Sequence, residues 1–555
     1  GVFRRTYTGM KAFKLVFTAL IISTGLAAQP NFPAPVREGN RNEPMAKGKF
    51  QPTWESLSQY QAPEWFRNAK FGIWAHWGPQ CEPGQGDWYA RTMYKQGTRQ
   101  YDWQVAHYGH PSRAGFKEVI HAWKAEKWNP EKLVALYKRA GAQYFFALAN
   151  HHDNFDLWDS KYQTWNSVKL GPKKNLLAGW AAAAKKNHLP FGLSVHASHA
   201  WTWYEPSQLA DTSGEFAGVA YDGKLRASDG KGTWWEGLDP QALYAQDHPL
   251  SRGAGNLNSI HSQWEWGNGA TVPSQAYCEK FYNRTIDLIN KFHPDLLYFD
   301  DTGLPLYPVS DAGLRIAAHY YNSNMALHKG KQEAVLFGKV LTDEQKKCMT
   351  WDVERGAPDR IQNLPWQTCT CIGDWHYNTR VYDENRYKSA KDVILMLIDV
   401  VSKNGNLLLN IPVKGDGSLD DREIAVLEGI AAWMDVNKES IFGTRPWKIY
   451  GEGPAAEAAN PIHAQGFNEG KVKLSARDLR FNQKGRILYV TVMGVPEEDI
   501  LVKSLAFTEK SISRIELLGS KEAVRWNQSV EGLKITKPGK APNNIALVYK
   551  LYQSL

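Results

Sequence analysis

From Trp65 to about Asn437 the chain alternates two textures: short apolar runs closed by turn residues, and stretches whose apolar positions recur every three to four residues. The first texture reads as buried parallel strands and the second as amphipathic helices. Strands are predicted at Phe71–Trp77, Gln143–His151, Phe191–Ser198, Asp295–Asp300, Ala334–Lys339, Met349–Val353 and Asn406–Ile411, with helices such as Pro130–Ala140 and Leu176–Asn187 between them. Such an α/β alternation predicts a (β/α)8-like TIM barrel. Near Asp435 the texture changes. Lys471–Leu474, Ile487–Val492, Ser513–Leu518, Gly532–Thr536 and Ile545–Leu551 alternate apolar and polar residues between Gly, Pro and Asn turns, which predicts a C-terminal antiparallel β-sandwich of about 110 residues.

The beginning of the chain differs from both. Lys11 and Lys14 precede the apolar stretch Leu15–Leu26, which ends in Ala27-Ala28, the three-part pattern of a secretory signal. The expected organisation is therefore 1–28 as an upstream extension and signal (Met10 as the natural start), 29–60 as an N-terminal arm, 61–440 as the catalytic domain and 441–555 as the sandwich. No other apolar run reaches the roughly 18 residues of a membrane span, so an exported chain, periplasmic or extracellular, is expected.

Charge and composition narrow the function. The net charge of +9 includes +4 from Arg4, Arg5, Lys11 and Lys14, and no acidic residue precedes Gln29, so +5 remains beyond the signal. Lys and Arg are scattered without an aromatic-interleaved basic patch, which argues against a nucleic-acid partner. Five cysteines, with Cys369 and Cys371 too close for an unstrained bridge, exclude a disulfide scaffold. The 23 tryptophans suit either ordinary packing or a surface that stacks on the apolar faces of sugar rings.

Several predicted strands finish in chemistry. The first ends at His76-Trp77, the second at His151-His152-Asp153, the third at His196 and His199, and the fourth at Asp300-Asp301 before Thr302-Gly303. In a barrel these ends open onto one face, so clusters far apart in sequence meet in one pocket. A metal site built from His151, His152, Asp153 and His196 is one use of them. Neighbouring residues of a strand point to opposite sides, however, so His151 and His152 would need a bend to chelate together. Hydrogen bonding to a polyhydroxylated ligand demands less. A second carboxylate, Glu354, follows Asp300 at a distance that places it one or two βα units farther round a barrel. A retaining glycosidase needs one ionised carboxylate and one protonated carboxyl about 5 Å apart, and these two residues suit the parts. Glu354 beside Arg355 also reads as a surface ion pair, and Asp300 as a cap for the following turn.

These segments together resemble glycoside hydrolase family 29, the α-L-fucosidases. The likeness spans Trp65 to about Trp447 and rests on Trp65–Gly78, on His151–Lys174, on Pro294–Asp300 and on Val400–Asn410. It implies Asp300 as nucleophile and Glu354 as acid/base, with Asp87 as a reserve acid. It also implies His76, Trp88, His151 and His152 as contacts to the sugar's hydroxyls and ring face, and Trp74 as a wall against its C6 methyl. No metal and no organic cofactor is implied, and the partner would be a fucosylated oligosaccharide or polysaccharide. Three departures fall around the pocket: Ser194 where many members carry tyrosine, leaving its contact to His196; Tyr298 where tryptophan is common; and Asn154 in place of a glycine. They leave open an α-L-galactosidase acting on an algal polysaccharide. A catalytically inactive sugar-binding protein and a metal-dependent hydrolase are the rivals from other classes.

Overall fold

A computed structural model describes residues 35–555 apart from 38, 40, 255–265, 267–268, 459–461, 463–465 and 508–510. The expected signal therefore lies outside the described residues. Eight parallel strands close into a barrel: β1 Phe71–Ala75, β2 Tyr144–Leu148, β3 Phe191–Val195, β4 Leu296–Thr302, β5 Val335–Lys339, β6 Thr350–Glu354, β7 Trp366–Cys371 and β8 Gly405–Asn410. Closure is made by β8 against β1, where Trp74 pairs with Asn410. Most strand residues are buried on both faces, which is why the strands read as continuous apolar runs rather than alternating ones. Inside the barrel, large aromatics are accommodated by glycines on adjacent strands. A Cβ at Gly72 would stand 2.4 Å from the Tyr144 ring, and one at Gly192 would stand 2.7 Å from the Phe146 ring.

The longer helices are α1 Pro130–Arg139, α2 Leu176–Lys186, α3 Gln275–Phe292, α4 Ala312–Leu327, α5 Ala390–Ser402 and α6 Asp421–Asn437. Asn129, Asn175 and Ser274 cap the first three through their side chains, and Ser389/Asp392 and Asp420/Glu423 form capping boxes on the last two. The regular alternation fails after β5. Only the 3-10 turn Gln345–Lys347 separates β5 from β6, and no helix separates β6 from β7 among the described residues. β7 escaped the sequence reading because Trp-Gln-Thr-Cys-Thr-Cys is not an apolar run, yet all six residues are buried. Its polar side chains serve the barrel interior: Tyr144 donates to Gln367 at 2.6 Å, and Gln367 and Cys369 donate to Asp352 at 2.9 and 3.0 Å.

Among the described residues the C-terminal part holds eight strands rather than five. One sheet runs in the order β13 Ile512–Leu517, β16 Leu547–Gln553, β11 Ile487–Val492, β10 Leu479–Lys484, β9 Arg445–Glu452; the other runs β12 Ile500–Val502, β15 Gly532–Ile535, β14 Trp526–Ser529. Lys471–Leu474 is not a strand: it has no pairing partner, and β10 begins five residues later. β9 was hidden because it is half-buried along its whole length at a sheet edge, so its residues do not alternate. This part seats on the barrel through Arg480, whose Nε donates to Asp399 of α5 at 2.8 Å, and through the Ala546 carbonyl, which accepts from Trp433 of α6 at 3.1 Å. The N-terminal arm lies across α3 and α4, where the Glu43 and Phe50 amides donate to Asn283 and Asn322. All five cysteines are buried and unbridged.

Candidate active site

Strand ends deliver the side chains to one face. β4 carries Asp300, β6 ends in Glu354 and β5 ends in Lys339, a residue the sequence reading did not single out. The Lys339 ammonium donates to Asp300 Oδ1 at 2.9 Å and to Glu354 Oε2 at 2.7 Å. One ammonium holding both carboxylates limits the separation of those two oxygens to the combined length of its two bonds. Lysine side chains are poorly marked in sequence; the signal, had it been used, was a cation closing a predicted strand next to the one that ends in Asp300.

Electrostatics separates the roles. Burial works against the charge on Lys339, but Asp300 and then Glu354 outweigh it and hold the ammonium's pKa well above its ordinary value. Burial likewise opposes the charge on Asp300, yet Lys339 and the hydrogen bonds from His152 and His196 hold its carboxyl well below the usual range. Asp300 is therefore ionised. Its Oδ2 receives His196 Nδ1 at 3.0 Å and faces His152 Nε2 at 3.3 Å. Asp301 is turned elsewhere, taking Ser198 and His199. Asp295 sits at the opposite end of β4, where it accepts the Phe191 amide. Arg355 does not pair with Glu354. It stacks on Trp375, 4.9 Å from the ring centroid, and donates to the Gly373 carbonyl. The backbone of Glu354 is fixed from the C-terminal part, because its carbonyl accepts the Phe467 amide at 2.8 Å.

Around the two carboxylates stands a ring of imidazoles. His151 and His152 lie past the end of β2, where the chain bends and brings both rings inward with centroids 4.4 Å apart. The opposite-sides expectation for a continuing strand does not apply to them. Gln80 donates its amide to His151 Nδ1 at 2.8 Å while its oxygen accepts the Ala90 amide, which fixes the proton of His151 on Nε2. His152 Nδ1 donates to the His196 carbonyl at 2.7 Å. Burial pushes His76 and His151 well below the ordinary histidine range, and it takes His196 down to about 4 against the pull of Asp300. These rings are neutral. Both nitrogens of His76 and Nε2 of His196 are buried without a partner among the described residues.

The wall and floor are aromatic. Trp74 packs at 4.7 Å from His76, 5.0 Å from Tyr298 and 5.5 Å from Trp375. The Tyr298 hydroxyl points down into the barrel toward Asp352 and Cys369, so only its ring serves the cup. Trp88 begins the next turn with φ +61° and sets its ring 6.4 Å from His152. Asp87 has both carboxylate oxygens occupied by the Trp375 and His376 amides and by His376 Nδ1. Trp375 and His376, from the loop after β7, went unread because that strand was missed. Asn410 at the end of β8 joins the two halves, accepting the His76 amide and donating to the Trp375 carbonyl.

Two trios of buried histidines, His76/His151/His376 and His151/His152/His196, bring ligand-type nitrogens within 4.8 Å of one another. Each trio includes His151, whose proton Gln80 fixes on Nε2, making that nitrogen a hydrogen-bond donor rather than a ready metal ligand. Donors, bare acceptors and ring faces in an enclosed cup suit a polyhydroxylated ring.

The family model for α-L-fucosidase matches residues 39–439. The chain belongs to that family of glycoside hydrolases. Similar proteins include an α-L-fucosidase of Branchiostoma floridae, 26% identical over 72% of this chain and 76% of that one. The tissue α-L-fucosidase of Rattus norvegicus is 23% identical over 90% of each. In fold, the chain is similar to the α-fucosidase of Thermotoga maritima solved with a mechanism-based inhibitor: TM-score 0.65, 24% identity, covering 91% of this chain and 100% of that one. In this member the two acidic residues, the imidazole ring and the tryptophan wall converge at the C-terminal ends of the barrel strands, where TIM-barrel enzymes place their chemistry.

Proposed function

We propose that this chain is an exo-acting, retaining α-L-fucosidase that removes terminal α-L-fucose from glycans. The observation that carries the reading is the single ammonium of Lys339, bonded to Asp300 at 2.9 Å and to Glu354 at 2.7 Å. Two such bonds end to end reach only about the 5–5.5 Å of a retaining pair, whereas inverting pairs stand about 6.5–9.5 Å apart to admit a water. Asp300 attacks the anomeric carbon and forms a glycosyl ester as the bond to the leaving oxygen breaks, and Glu354 protonates that oxygen. Glu354, having given up its proton, takes one from water as that water displaces Asp300. The anomeric configuration is retained.

The walls of the cup select the sugar. Trp74 is 1% exposed and packed among His76, Tyr298 and Trp375. A methyl against this indole loses nothing, whereas a hydroxyl pressed there would lose its water unpaired, so the wall favours L-fucose over L-galactose. The depth of the cup, closed by His76, His151 and His376 at 5% exposure or less, favours one terminal residue. The basic-then-apolar leader supports export. The test is Asp300→Gly assayed on nitrophenyl α-L-fucoside with and without azide. Loss of hydrolysis and azide rescue to the β-L-fucosyl azide is the expected result; undiminished hydrolysis by this variant rejects the nucleophile.

A further inference from the structure

His376 is 1% exposed, and its Nε2 meets no partner among the described residues. An orphaned buried ring nitrogen is costly, so its persistence asks for a ligand. Its ring stands 4.8 Å from His76 and 4.7 Å from His151, and one nitrogen of each of the three lies within 4.8 Å of the others. The ring is not loosely placed. Asp87 accepts the Trp375 and His376 amides at 3.2 and 2.7 Å and takes His376 Nδ1 at 3.3 Å. Asp87 Oδ1 already accepts the His376 amide and also faces Nδ1, so Nδ1 is the donor and the tautomer it fixes leaves Nε2 as the acceptor. Beside it, His151 Nε2 is a donor, because Gln80 occupies its Nδ1.

The position along the cup is also fixed. Asp300 touches His152 and His196; those rings neighbour His151; and His151 neighbours His376. His376 is therefore two rings removed from the nucleophile along this series of contacts. With the anomeric carbon at Asp300, a group so removed faces the sugar beyond C2, where C3 and C4 carry the hydroxyls.

We infer that His376, held by Asp87, is a substrate-binding residue whose Nε2 accepts a hydrogen bond from a hydroxyl on C3 or C4 of the bound sugar. This rests on the α-L-fucosidase reading. Asp87 acts through His376 and is a positioning residue.

The test measures kcat/KM of the full chain on nitrophenyl α-L-fucoside and on its 2-, 3- and 4-deoxy analogues. In the wild type, removing the contacted hydroxyl costs about tenfold or more, the scale of one buried hydrogen bond. In His376→Ala that penalty shrinks to threefold or less, while the 2-deoxy penalty keeps its wild-type value. His376→Phe gives the same pattern, since it keeps a ring in place but offers no acceptor nitrogen. This second variant carries the test if the alanine variant does not fold. Wild-type 3- and 4-deoxy penalties persisting in both variants would overturn the inference and leave the fucosidase reading standing. No hydrolysis of any α-L-fucoside by the wild type would instead reject that reading, and this inference with it.

Discussion

Lys339→Met removes the ammonium that Asp300 and Glu354 share while keeping the length of the side chain. At an effective dielectric of about 20, a unit charge 2.9 Å from Asp300 Oδ1 supplies about 6 kcal/mol of gross attraction. Without it, the two carboxylates face each other with nothing between them, separated by no more than the bonds of 2.9 and 2.7 Å that had joined them to the ammonium. Their repulsion is then at least about 3 kcal/mol, equivalent to about two pH units in the first protonation of the pair. The sign follows from Asp300. Its carboxyl is depressed in the folded protein, so it is ionised above that low pKa and loses its charge as pH falls through it. Removing Lys339 raises that pKa, and activity is lost sooner on acidification. The acid limb of kcat/KM against pH on nitrophenyl α-L-fucoside moves up by about two pH units, and between the old and new limbs the rate falls by up to about a hundredfold. Lys339→Arg, which keeps the charge, holds the limb near its original place. An unmoved limb in Lys339→Met, with urea unfolding showing an intact fold, would refute the claim that this ammonium governs the pair.

Two further outcomes test the wall and the seam. Trp74→Ala opens the face that meets C6, and the ratio of kcat/KM for α-L-fucoside over α-L-galactoside falls by about tenfold as the galactoside hydroxyl regains water; an unchanged ratio would remove Trp74 from sugar selection. Arg480→Ala leaves the half-buried Asp399 with Lys403 still 3.1 Å away, so urea unfolding should show a loss of about 2 kcal/mol, the scale of a hydrogen bond between charged groups; a loss under about 0.5 kcal/mol would show that the ion pair does not hold the C-terminal sheets to the barrel.

What the linear pattern carried is what local physics controls. A strand buried on both faces must be apolar throughout, so seven of the eight barrel strands were readable, each within a few residues of its observed ends. The histidines and Asp300 were readable for the same reason, because polar residues at the close of apolar runs mark the rim of a barrel. Glu354 was legible as a second carboxylate that a barrel could bring round to Asp300, and the resemblance added its expected role as acid/base. β7 was not readable: its glutamine, threonines and cysteines are buried by pairing with Tyr144 and Asp352, partners 223 and 15 residues from Gln367. β9 was hidden by a different cause, its half-exposed edge position.

Long-range geometry accounts for the rest. Its place at the close of a predicted strand is the one local mark of Lys339, and closure of the barrel is what sets its ammonium between two carboxylates on flanking strands. Arg355 stands next to Glu354 in the chain yet turns to Trp375, while Lys339 takes the pairing from 15 residues away. Asp87 and His376 are 289 residues apart, and their contact exists because two barrel loops meet over one mouth. Hydrophobic patterning specifies which segments are buried and with what period, because burial responds to each residue's own transfer free energy. Which charges and imidazoles face one another depends on the closed arrangement of all eight strands, and no segment of the chain contains that information alone.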